Sequence, residues 1–109
     1  MLLLAALALC LSACGGRKNR IQGDWILADT YQSSRQGIQI ADHGLAASIN
    51  QTHKQYTSWK RQGATLILGG KLFGEQDIVD FSDTLRIARL TSTELWTTRE
   101  SELTKYRRR

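Results

Sequence analysis

The side chains that could do chemistry are few, and most are badly placed for it. The 109 residues include two cysteines and two histidines. His43 falls in an expected turn and His53 in an expected loop, with no Cys or third His beside them, so the usual ligand set of a zinc site is not assembled. Asp77-x-x-Asp80-x-x-Asp83 is a run of carboxylates. On an extended chain Asp77 and Asp83 point one way and Asp80 the other, which is wrong for converging on Ca²⁺. There is no Gly-x-Ser-x-Gly elbow, and no spacing ties a Ser, a His and an Asp together. Gly69-Gly70 and Gly74 lack the strand-to-helix setting of a phosphate cradle. The expectation is a protein that is not an enzyme and uses no metal and no cofactor. One thiol stands apart. Cys14 follows two small residues in Leu11-Ser12-Ala13-Cys14-Gly15.

The segment before Cys14 explains that placement. Residues 1–13 carry no charge, and residues 1–11 read MLLLAALALCL. This length suits the apolar core of a signal peptide and falls short of the ~20 residues of a spanning helix. Together with the small pair and Cys14, it resembles the lipobox of bacterial lipoproteins. The resemblance implies removal of residues 1–13 and a diacylglyceryl group on the Cys14 thiol. Cys10 leaves with the removed segment, so Cys14 has no intramolecular disulfide partner. Residues 14–21 are glycine-rich and then basic, and read as a lipid-anchored flexible tether. Surface-export tethers of related lipoproteins tend to be acidic. A basic one points to the bacterial cell envelope, at the periplasmic face of the outer membrane. Lys and Arg number 15 against 10 Asp and Glu, for a net charge of +5. Export excludes nucleic acid as the partner of that charge and of the Arg107-Arg108-Arg109 terminus, and leaves anionic lipid or glycan. The expected partner is the membrane, through the lipid on Cys14.

Residues 22–109 form the expected domain, and their hydrophobic period is two. Asp24 to Thr30, Gly37 to Ala41 and Leu45 to Asn50 read as strands, with Asp42-His43-Gly44 as a tight turn. A polar loop follows at Gln51 to Gln55. Tyr56 to Lys60 and Ala64 to Leu68 flank a turn ending at Gly63, and Gly69-Gly70 is expected to break the second of these strands. Asp77 to Phe81 and Thr84 to Leu90 are expected on either side of a bulge or short turn at Ser82-Asp83. Glu94 to Arg99 and Leu103 to Tyr106 complete eight or nine short strands. Parity puts Trp25, Leu27, Ile38, Ile40, Leu45, Ala47, Ile49, Trp59, Leu66, Leu68, Val79, Phe81, Leu85, Ile87 and Leu95 on the inner face. Tyr56 and Trp96 have outward parity. Short strands joined mostly by tight turns close best as an all-β, antiparallel up-and-down barrel of about eight strands, which leaves no open edge.

Gly23-Asp24-Trp25 opens this meander. With Gly37-Ile38-Gln39-Ile40, Gly44 to Asn50, Tyr56 to Lys60, Leu66 to Lys71, Phe81 to Ile87 and Tyr106, the chain resembles a family of small bacterial lipocalin-like lipoproteins. The resemblance implies a lipocalin-like β-barrel whose Trp25 plugs the closed end. It also implies a basic residue of the last strand across that Trp, with Arg108 the first candidate and Arg99 the second. The chain is roughly half the length of classical lipocalins, so its strands are shorter and any cavity is shallower.

Two functions are open on these residues. The first is a membrane-anchored binding module that holds a small apolar or amphipathic ligand in the mouth opposite Trp25. Its candidate lining is Leu27 and Ile38, with Leu66, Leu68 and Phe81 deeper in, and Tyr31 with Ser33, Ser34 and Arg35 supplied by the loop between the first two strands. The second is a structural or interaction protein. In that case side chains fill the barrel, and an outer face with Trp96 and Tyr56 docks a partner envelope protein.

Overall fold

The computed structural model describes residues 20–28 and 35–109. The segment 1–19, with Cys14, and the loop 29–34, with Tyr31, Ser33 and Ser34, lie outside the described residues. Eight strands follow in order: β1 Gly23–Leu27, β2 Gly37–Ile40, β3 Ala46–Ile49, β4 Lys54–Gln62, β5 Thr65–Phe73, β6 Ile78–Leu90, β7 Glu94–Arg99 and β8 Glu102–Arg108. A 3-10 turn, Asp42–Gly44, joins β2 to β3.

All eight strands lie in one antiparallel sheet of order β3-β2-β1-β8-β7-β6-β5-β4. The first and last strands pair directly, Trp25 opposite Arg108 and Leu27 opposite Tyr106. The sheet curls until β3 meets β4. That seam is held by one bridge, Leu45 to Ser58, and by the Ser48 hydroxyl. Ser48 Oγ donates to the Lys54 carbonyl at 2.6 Å and accepts from the Tyr56 amide at 2.9 Å. A side chain thus replaces the ladder, and the barrel is nearly closed.

Alternation along the strands fills the interior. Trp25, Ile38, Ile40, Leu66, Leu68 and Leu95 are fully buried, with Ile21 and Tyr106 in the same cluster and Leu27, Trp59, Leu85 and Ile87 packed against it. Ile21 was expected at the end of the tether. It is buried core instead, so the fold begins one residue earlier than the pattern suggests.

Two expected interruptions are corrected. β5 runs through Gly69-Gly70 without a break, and β6 runs through Ser82-Asp83 with an unbroken register to β5. The irregularities lie elsewhere, in β4 between Tyr56 and Ser58 and in β6 between Ile87 and Arg89. Gly70 explains the misplacement. A Cβ there would overlap the Gln55 carbonyl and sit 2.9 Å from Tyr56 Cα, because the bulged β4 backbone comes close. The glycine marks a bulge in its neighbour and not the end of its own strand.

The β4 bulge also reverses Tyr56. An extra residue between Tyr56 and Trp59 lets both face inward, so Tyr56 packs on the core and not on the outer face. The remaining exceptions are Leu45, 60% exposed ahead of β3, and Val79, 54% exposed. Val79 keeps inward parity, but β7 pairs with β6 only from Arg86 onward. The β5–β6 hairpin therefore overhangs, and Leu72 and Val79, which pair across it, continue the inner wall into solvent.

The end of the barrel at which β1 starts is sealed. Trp25 donates its indole N–H to the Ile21 carbonyl at 2.7 Å. The Arg108 guanidinium lies over the Trp25 ring, 4.2 Å from its centroid. It donates to the Ser92, Gln22 and Arg20 carbonyls at 2.7, 2.8 and 2.6 Å. One side chain of β8 thus ties the segment before β1 and the β6–β7 turn to the plug. Gly23 (φ +151°) is required here, since a Cβ would overlap that guanidinium.

Candidate functional site

The opposite end is built differently. It gathers the β1–β2, β3–β4, β5–β6 and β7–β8 connections. Four strands turn polar side chains into it. β4 brings Lys54 and Tyr56, β6 brings Asp83, β7 brings Thr97 and Arg99, and β8 brings Glu102, Thr104 and Tyr106. Together with Leu85 they line a cavity of about 170 Å³.

Asp83 organises the cavity. Its carboxylate is only 12% exposed and takes two cations, Lys54 Nζ at 2.6 Å and Arg99 Nη1 at 3.3 Å. The Lys54 ammonium also lies 5.4 Å from the Tyr56 ring centroid and 4.8 Å from that of Phe81. Those two rings meet edge to face at 5.7 Å. Burial alone would lower the Lys54 pKa. The hydrogen bond and charge of Asp83, with Tyr56 beside it, outweigh that and raise it above the usual value. Burial pushes the Tyr56 phenol up, partly offset by Lys54, and pushes Tyr106 up further. At neutral pH the cavity therefore holds a charged Lys54 and two neutral phenols.

Two cations share one buried carboxylate. Glu102 stands exposed at the rim and makes no ion pair among the described residues. Above the cavity the inner wall turns apolar, through Phe81 to the exposed Leu72 and Val79. A polar floor under an apolar ledge can hold a molecule with one polar end and one apolar end.

The residues singled out from the sequence distribute unevenly around this mouth. Phe81 is beside it, edge to face with Tyr56 and with its ring under the Lys54 ammonium. Ile38, Leu66 and Leu68 are buried in the core, and none of them lines the cavity. Leu27 borders a shallow groove of about 250 Å³ across β1 and β8, with Ile26, Arg35 and Arg107. Arg108 lies on Trp25, whereas Arg99, its alternative, belongs to the mouth. His43 and His53 are exposed, and no group of three or more metal-ligating side chains occurs among the described residues. Lys54, Asp83, Arg99, Thr97 and Thr104 were missed. The signal was present in parity, since Thr97 and Arg99 share the face of Leu95, and Asp83 lies between Phe81 and Leu85 in phase. Reading Ser82-Asp83 as a bulge hid it.

An eight-stranded antiparallel meander, plugged by a Trp under an Arg at one end and open at the other, is the architecture of a ligand-binding type of barrel. The family model described as lipocalin-like matches residues 17–109, and the chain belongs to that family. A solved structure, a lipocalin-like protein from Bacteroides thetaiotaomicron VPI-5482, is 33% identical. The match covers 82% of this chain and 96% of that one, with a TM-score of 0.76. No curated protein matches the sequence. The lipocalin-like fold is typically one of binding and not of catalysis.

Proposed function

We propose that the protein is a lipid-anchored lipoprotein of the bacterial cell envelope whose barrel mouth holds a small amphipathic ligand. The cavity over Asp83 carries this reading. Its polar wall would take the ligand's polar end on Lys54, Arg99 and the threonine hydroxyls, and Phe81, Leu72 and Val79 would take the apolar end. A wholly apolar ligand fits less well than the sequence suggested, since it would strip water from the Lys54–Asp83 pair without replacing it. The docking alternative loses half its surface, because Tyr56 faces inward and only Trp96 remains outside.

The test is fluorescence titration of the purified protein with dodecanoate and with dodecane-like dyes. Dodecanoate should bind below ~100 μM, about −5.5 kcal/mol. If neither probe binds in that range, the binding reading gives way to partner docking. For the anchor, Cys14→Ala should move the protein from the membrane to the soluble fraction, since a diacyl group is what holds it there. A variant that still sediments with membranes would overturn the lipobox reading.

A further inference from the structure

The outer wall of β6, β7 and β8 carries a feature that the mouth does not use. Trp96 points outward from β7, opposite Arg89 of β6 and Lys105 of β8 in register. Both cations lie over its ring, Arg89 at 5.2 Å and Lys105 at 4.5 Å from the centroid. Arg107 lies two residues further along the same face, between Glu94 and Ile26. Arg86 lies toward the other side, opposite Thr98. Glu94 joins them and is held by Arg89 at 3.3 Å. Arg86, Lys105 and Arg107 make no ion pair among the described residues. Four cations against one carboxylate, around an aromatic ring, form a face complementary to an anionic plane.

The position of this face matters as much as its charge. β6 ends, β7 starts and β8 ends at the plugged end. The chain enters there too, since Arg108 holds the carbonyl of Arg20. Arg20 follows Cys14 by six positions in the sequence, a reach of at most about 22 Å even when fully extended. An acylated Cys14 therefore keeps the Trp96 face beside the bilayer.

We propose that the outer wall of β6 to β8 docks on a bilayer of anionic phospholipids, with Trp96 at the headgroup level and Arg86, Arg89, Lys105 and Arg107 on the phosphates. Indole rings favour that depth, and juxtamembrane cations favour that surface. The docked barrel lies against the membrane and its mouth stays clear. The proposal rests on the reading of Cys14 as the lipid-bearing residue.

The experiment uses the full chain purified from membranes of an expressing bacterium. It is reconstituted in vesicles of phosphatidylcholine alone or with about 30 mol % phosphatidylglycerol, both containing lipid brominated near the headgroup. Trp25 is buried and Trp59 faces the interior, so Trp96→Phe isolates the outer ring's signal. Trp96 emission should be quenched with phosphatidylglycerol and not with phosphatidylcholine. The quenching should be lost at ~0.5 M salt, where the screening length drops to a few ångströms. It should also fall to the neutral-vesicle level in an Arg86→Gln, Arg89→Gln, Lys105→Gln and Arg107→Gln variant whose near-ultraviolet circular dichroism matches wild type. Flotation on phosphatidylcholine alone reports the anchor by itself, so loss of flotation there overturns the Cys14 reading and leaves the face to be judged by quenching. No quenching on either vesicle, or equal quenching on both, overturns the docking proposal, as does quenching indifferent to salt. In those outcomes a protein or glycan becomes the occupant to seek.

Discussion

The two ends of the barrel each place a cation over an aromatic ring, yet they use it in opposite ways. At the plugged end Arg108 lies on Trp25, and each of its three guanidinium nitrogens donates to a backbone carbonyl. At the mouth Lys54 lies on Tyr56 and Phe81 and shares a single carboxylate with Arg99, whose side chain is 59% exposed. The same chemistry thus serves stability where the cation is pinned to the backbone, and leaves the proposed recognition to the end where it is held by one shared carboxylate. The floor is fixed by the fold, and the mouth is only furnished by it.

The comparison can be broken at the floor first. Trp25→Ala removes the largest fully buried side chain and should cost ~3–5 kcal/mol. Against a total of ~5–10 kcal/mol for so small a domain, chemical denaturation should show a midpoint moved far toward zero denaturant. A loss under 1 kcal/mol would remove Trp25 from its role as plug. Arg108→Ala orphans three carbonyls and uncovers the ring. A loss of about 2 kcal/mol is expected in the same denaturation series, with no effect on probe affinity. If binding falls and stability does not, the contrast between the ends is inverted.

Alkaline pH tests the mouth and its surroundings as a group. Lys54 has a folded pKa above its usual 10.5, and Tyr56 and Tyr106 above their usual 10.0. In each case the fold favours the protonated form. Their contribution is complete below those usual values and is lost as pH rises through the higher folded ones. Melting temperature should therefore stay level from about pH 6 to 9 and fall above about pH 10, less steeply in Tyr106→Phe. A fall beginning near neutrality would have to come from other groups. The smallest stability effect should be that of Lys54→Met, under ~1 kcal/mol, because Arg99 still faces Asp83. The same change should weaken dodecanoate binding by roughly tenfold, the worth of one charge-assisted contact. Unchanged affinity would place the ligand's polar end elsewhere.

The strand pattern was legible because alternation is a local property. Trp25, Ile38, Ile40, Leu66, Leu68 and Leu95 all lie where parity puts them. The plug was legible through Gly23-Asp24-Trp25 and its family resemblance. The mouth was not, for two physical reasons. A bulge shifts parity for every residue on its far side, and the sequence does not say which strand holds it. Gly70 advertises the bulge of β4 from within β5, so the sign stands on the neighbouring strand and not on the one that holds the cause. The polar interior was hidden for the second reason. Inward-facing Asp83 and Arg99 look like surface residues until three strands bring Lys54, Asp83 and Arg99 within ion-pair distance. Such neighbours are many residues apart in the chain, and composition has no access to them.

The seam between β3 and β4 makes this molecule a ribbon with interchangeable ends. Its first and last strands are paired, with the Arg109 amide donating to the Asp24 carbonyl at 2.9 Å. The seam between β3 and β4, with its single bridge, is spanned by the loop at residues 50–53. Joining residue 109 to residue 20 by a short linker and cutting that loop would give a chain that runs β4 through β8 and on through β1 to β3, still pairing each strand with its next neighbour. Such a circular permutant should fold to the same barrel, since chain ends at an exposed loop are well tolerated. A melting temperature close to that of the parent would show that the sheet's circumference, and not the order in which the ribosome delivers it, defines the fold.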